Sequence, residues 1–150
     1  MPLAASQVNC NTASMIVYQA VIVHGLTDAT TALAVGAPVT LLSAPGAGLY
    51  AGCLWWRSMV AAARAAFPAT NVIDILDCAD AAGMAMGSLR VGVHRLVLWP
   101  DAPGWAAVAE IAAAQGGFVL QQAPDALDMA ERGAVRRLHG WLQKTGPVGP

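Results

Sequence analysis

Charge is scarce in this sequence. Only 11% of the residues are Asp, Glu, Lys or Arg, against about 25% in an average globular chain. Lysine occurs once, at Lys144, and Arg136-Arg137 is the only adjacent basic pair. No basic stripe exists to follow a phosphate backbone, so nucleic acid is not expected as a partner. Cysteine is almost as sparse. Cys10, Cys53 and Cys78 form an odd set without regular spacing, which argues against a disulfide framework. His24, His94 and His139 are far apart, no two cysteines stand at zinc-ligand spacing, and no metal site is expected. Residues 1–14 show neither a basic n-region nor an apolar h-region, so no signal peptide is expected. The longest apolar stretch, residues 46–67, is broken by Arg57 and Arg64, which a spanning helix rarely carries. These absences together predict a soluble cytoplasmic protein with no membrane partner.

What the chain does have is apolar residues. They make up 57% of it, and five are tryptophans. The length of 150 residues suits one domain, with 1–14 and 146–150 expected as loose ends. A core of that size leaves apolar surface over, and self-association is the usual way to cover it. A homo-oligomer is therefore expected.

Short apolar runs alternate with helical segments. Strands are predicted in the second half of 15–23 and over 39–42, 72–76, 96–99 and 118–121. Helices are predicted over 29–35, capped by Thr27-Asp28, and over 49–66, 81–90, 105–114 and 126–143. This alternation is the pattern of βαβ units with right-handed crossovers. The expected fold is α/β: a three-layer open sheet of about five mainly parallel strands with helices on both faces, Rossmann-like or flavodoxin-like. The order of the strands is not readable, and a closed eightfold barrel needs about 250 residues.

In open α/β sheets, ligands sit beyond the carboxyl ends of the strands. Here that rule selects His24 to Asp28, Ser43 to Gly48, Asp77 to Asp80, Trp99 to Asp101, and Gln121-Gln122. Within them, Gly46-Ala47-Gly48-Leu49-Tyr50-Ala51 matches G-x-G-x-x-G/A between a predicted strand and a predicted helix. Such a turn lets a phosphate approach backbone N–H groups at a helix start. Asp74 or Asp77, at the next strand, could bind a ribose, although the motif follows the second strand instead of the first and Asp77 lies about nine residues beyond the usual ~20. The bland alternative is a glycine turn that lets a helix pack closely. No Walker A loop or G-x-S-x-G elbow occurs, and the acidic pair and lysine of a phosphoacceptor domain are missing.

Three functions follow as expectations. The first is a small-molecule-binding domain for a phosphate-bearing ligand (nucleotide, dinucleotide, CoA or sugar phosphate). Ser43, Gly46, Ala47 and Gly48 would hold the phosphate, with Asp77 and Asp101 lining the crevice. The second is a small hydrolase-type enzyme using Ser43, His24 and Asp77 as a triad, or a metal held between aspartates such as Asp77 and Asp101. The third is a non-catalytic protein that assembles through its apolar surface. Cys78, next to Asp77 and Asp80, is expected to be a quiet thiol. Asp74, in mid-strand, needs either partners or solvent, and Trp99 and Trp105 are expected at the rim of the core.

Overall fold

The computed structural model describes residues 17–144. Six parallel strands, Ala20–Val23 (β1), Val39–Ser43 (β2), Val72–Asp77 (β3), Arg95–Val97 (β4), Phe118–Leu120 (β5) and Ala126–Asp128 (β6), form one sheet in the order β5-β4-β3-β2-β1-β6. The helices are Leu26–Leu33 (α1), Ala47–Tyr50 (α2), Cys53–Ala66 (α3), Ala82–Arg90 (α4), Trp105–Ala114 (α5) and Ala134–Leu142 (α6). The α/β fold with an open parallel sheet is thus the observed architecture. Among the described residues no helix is long and apolar enough to cross a membrane. The expected loose ends, 1–14 and 146–150, lie outside the described residues, as does Cys10.

Three details differ from the sequence reading. First, residues 126–128 are a strand, not the start of the last helix. The Asp128 side chain accepts a hydrogen bond from the Ala130 N–H, which closes a turn there, and Gly133 (φ 78°) opens α6 only afterwards. Second, the long helix expected over 49–66 is two helices. Gly52, with φ 87° and ψ 161°, breaks the chain between α2 and α3 in a conformation that favours glycine. Third, α1 begins at Leu26, with Gly25 as its N-cap and Asp28 inside its first turn. The strand order is neither of the two best-known arrangements. Strands β1 to β5 follow one another across the sheet, and β6 adds on the far side of β1.

Alternation of side chains divides the sheet into two apolar faces. One face carries Val21, Val23, Leu41, Leu76, Leu96, Leu98, Val119 and Leu127. It packs with buried residues from every helix of eight residues or more, including Leu33, Trp56, Leu89, Val108 and Leu138. The other face gathers Leu42, Ile75 and Val97 with Ile22, Ile73, Phe118, Leu120 and Ala126, all of them strand residues. Along this second face the register forms levels. Ala20, Thr40, Ile73 and Ala126 share one, and Ile22, Leu42, Ile75 and Asp128 the next.

The connection between the last two strands sets the curvature of this face. Strands β5 and β6 stand at opposite edges, five strand spacings apart, which is about 24 Å across a flat sheet. Only residues 121–125 join Leu120 to Ala126. Those six Cα steps reach at most roughly 21 Å. The sheet therefore curls, bringing its two edges toward each other around the second apolar face.

Thr40 is fully buried on that face, and its hydroxyl has no hydrogen-bond partner among the described residues. Valine keeps the shape and removes the unpaired group. Thr40→Val is expected to raise stability by about 1 kcal/mol in urea denaturation. A loss of stability would mean that the hydroxyl is satisfied.

Candidate functional site

All six strands end at one edge, and the parallel register places their last residues together. Asp77, Val97 and Leu120 share a level on the second face. Continuing the pairing Ile22↔Leu42↔Ile75 by two residues puts His24 and Ala44 at that level too. In sheet order β2 lies between the strand that His24 follows and the strand that Asp77 ends, and Asp77 is only 5% exposed. Leu42, Ile75 and Val97 form the buried apolar floor.

His24 is held from two sides. Its backbone N–H donates to Asp28 Oδ2 at 2.9 Å, so the first turn of α1 fixes the chain where β1 ends. Its Nε2 lies 2.7 Å from Asp128 Oδ1, at the end of the neighbouring strand β6. Burial alone would raise the Asp128 carboxyl. Hydrogen bonds from His24 and the Ala130 N–H outweigh it and hold the pKa below the ordinary value of 3.8. An ionised carboxylate can only accept, so Nε2 carries the proton of the neutral ring. Nδ1, which has no partner among the described residues, is left with a free lone pair. Asp128 could not be picked out in the sequence because its three-residue strand has no periodicity to read. The break at Pro124-Asp125 was the one available signal.

Ser43 and Asp77 are brought together, but by structural bonds. The Ser43 hydroxyl accepts from the Asp77 N–H at 2.9 Å and donates to the Ala44 carbonyl at 3.1 Å; the residue is 1% exposed. This extends the β2–β3 pairing by one step. No hydrogen bond among the described residues links His24 to either of them. The Asp77 carboxylate accepts from the Ala79 N–H at 2.8 Å, and Ala79 is held at φ 49°, in the left-handed region. Left-handed backbone at a non-glycine residue costs roughly 1–2 kcal/mol, and such strain is common where strand ends carry function.

The glycine turn is tightly packed. Gly46 adopts φ 72°. A Cβ on Gly48 would stand 2.9 Å from Cys78 Sγ and 3.1 Å from the Asp77 carbonyl oxygen, so glycine there lets α2 lie against the end of β3. Ala47 and Gly48 are buried, and the Ala47 and Leu49 N–H groups donate to the Ala44 and Gly46 carbonyls. Asp101 is exposed, and no hydrogen bond or ion pair among the described residues joins it to Asp77. Among the described residues no group of three or more His, Cys, Asp or Glu side chains is placed to hold a metal.

The apolar residues of the rim complete the site. Leu26, Leu49, Tyr50, Leu54, Trp55, Met84, Trp99 and Val135 are the large hydrophobic side chains exposed among the described residues. Each lies in the first turn of a helix, in α2, or just after β4. All of them therefore border the carboxyl edge. Trp105, by contrast, is half-buried and donates its Nε1–H to the Leu98 carbonyl at 2.8 Å.

Two outcomes are expected. The stability supplied by the lowered Asp128 pKa is fully present above about pH 4. It is lost as pH falls through the lower folded value. Melting temperatures of wild type and Asp128→Asn should therefore converge on acidification below about pH 4, and parallel profiles would refute the pair. Burial also pushes the Cys78 thiol up to about 11. Iodoacetamide at pH 8 should label half-buried Cys53 well before Cys78, as peptide mass spectrometry would show; equal rates would contradict this.

Comparison with protein-family models, curated proteins and solved structures finds no match.

Proposed function

We propose that the protein binds a small molecule at the carboxyl edge of its sheet and that His24, oriented by Asp128, exchanges a proton with it. The 2.7 Å His24–Asp128 contact carries this reading. Asp28, Ser43 and Asp77 at the same edge use their polar groups for turns and strand pairing. The His24 ring instead leaves one nitrogen free as a base, and its carboxylate partner would stabilise the imidazolium once a proton is taken. The reaction class is general acid–base chemistry, of hydrolytic or isomerising type. In this arrangement Asp128, not Asp77, is the carboxylate behind the histidine. Ser43, buried and bonded, serves as a strut. The ligand combines a polar group reaching His24 and Asp77 with an apolar part against the rim. Phosphate-bearing compounds belong in the search because the Ser43–Gly48 turn borders the same edge.

A second reading is favoured by one observation: exposed large apolar side chains cluster at this edge. A second copy of the chain, docking there, would cover them.

The test combines thermal shift with imidazole NMR on the full chain, using NAD, NADP, FMN, CoA, AMP and sugar phosphates. A ligand at 100 times its Kd stabilises by about 2.7 kcal/mol, or roughly 3–6 °C for a chain of this size. It is expected to move the His24 ring resonances. His24→Gln should abolish ligand binding or turnover in a chain that still folds cooperatively, its melting temperature lowered by no more than that of Asp128→Asn, which breaks the same pair. A ligand bound at this edge equally well by His24→Gln would overturn the proposal. A concentration-dependent dimer, lost in Tyr50→Lys, would support association instead.

A further inference from the structure

At the opposite, amino edge of the sheet, three of the eight basic residues of the chain converge on one cavity. Arg57 and Arg64 are seven residues apart on α3, almost two full turns, and so face the same way. Arg95 is the first residue of β4, and His94 precedes it. Together with Val60, Val93 and their neighbours they line a cavity of about 160 Å³ between α3 and the start of β4. One water needs only about 10–15 Å³ on such a measure.

The only acidic residue in that lining is Asp74, the carboxylate that looked misplaced in an apolar strand. It is fully engaged. Its Oδ1 accepts from Arg64 Nη2 at 2.8 Å and its Oδ2 from Trp56 Nε1 at 3.3 Å. Arg64 also donates to the Val72 carbonyl. Arg95 Nη1 stands 3.9 Å from the same Oδ1, too far for a hydrogen bond. Arg57 gives one N–H to the Val91 carbonyl and meets no carboxylate among the described residues. Each guanidinium has five N–H donors. The cavity therefore holds three positive groups against one negative group, with most donors of Arg57 and Arg95 uncommitted among the described residues, in a chain whose formal net charge is −1.

We infer that this cavity is a binding site for a phosphate-type oxyanion, gripped by Arg57 and Arg95. Asp74 and Trp56 hold Arg64 in place as a third positive wall. Guanidinium groups on two separate elements suit an anion with several oxygens, because each planar fork can present paired N–H donors. Arg57 and Arg64 are exposed and Arg95 is half-buried, so an anion can reach all three guanidinium groups from solvent. The site is independent of His24 and the carboxyl edge, so either assignment can fail without the other.

The experiment is calorimetric titration of the full chain with inorganic phosphate, pyrophosphate and glycerol 2-phosphate, at fixed ionic strength with chloride as the control. Arginine Nε–Hε resonances are followed in parallel. Millimolar or tighter binding is expected, with Arg95 Nε shifted. Affinity should fall about tenfold or more in Arg57→Gln and in Arg95→Gln and stay unchanged in Arg132→Gln. Tighter binding of glycerol 2-phosphate than of phosphate would identify a phosphomonoester as the ligand; the reverse would identify the free anion. If a glutamine variant does not fold, Arg57→Lys retains the charge, and the Arg95 resonance of the wild type still reports on the site. Absence of binding by all three anions, binding equal to that of chloride, or affinity unchanged in both arginine variants would overturn the inference.

Discussion

Curvature of the sheet, imposed by a short connection, is the constraint on which the rest of the molecule depends. Five residues carry the chain from one edge strand to the other, a distance they cannot span if the sheet is flat. Once the sheet curls, its helix-free levels face inward and need apolar side chains. Ile22, Leu42, Ile75, Val97, Phe118 and Leu120 supply them. Direct parallel pairing of β6, β1, β2 and β3 brings their ends to one edge, and this is where Asp128, His24 and Asp77 stand.

The polar groups of the protein fall into two chemically different places. The carboxyl edge carries aspartates, one histidine and a rim of exposed apolar side chains. The amino edge, between α3 and β4, carries arginines around a single enclosed carboxylate. A chain with so few charges concentrates a large share of them at these two places. The carboxylates are held by backbone N–H groups and by His24. The arginines are held by carbonyls and by Asp74.

Much of the fold was legible because its signals are local. Five of the six strands were marked by apolar, β-branched runs, and the parallel arrangement followed from their alternation with helices. The glycine turn was legible as a turn, and Gly48 shows why glycine is needed there: a side chain would meet the end of β3. What escaped was everything that depends on neighbours in space. Strand β6 is three residues long and gains its identity only by pairing with β1. Its order in the sheet, and with it the meeting of His24 and Asp128 across 104 residues, leaves no trace in periodicity. Asp74 was recognisable as odd, yet its partners Arg64 and Trp56 come from a helix face whose orientation the sequence alone does not fix.

The Trp141 indole donates to the Ala20 carbonyl at 2.7 Å. It thereby ties the last helix to the first residue of β1, the strand that β6 flanks. Helix α6 thus clasps the start of the sheet from the far end of the chain. The described structure closes on itself in sequence as well as in space. Its first and last described elements are thereby joined, so a change at Trp141 acts on β1 as directly as on α6.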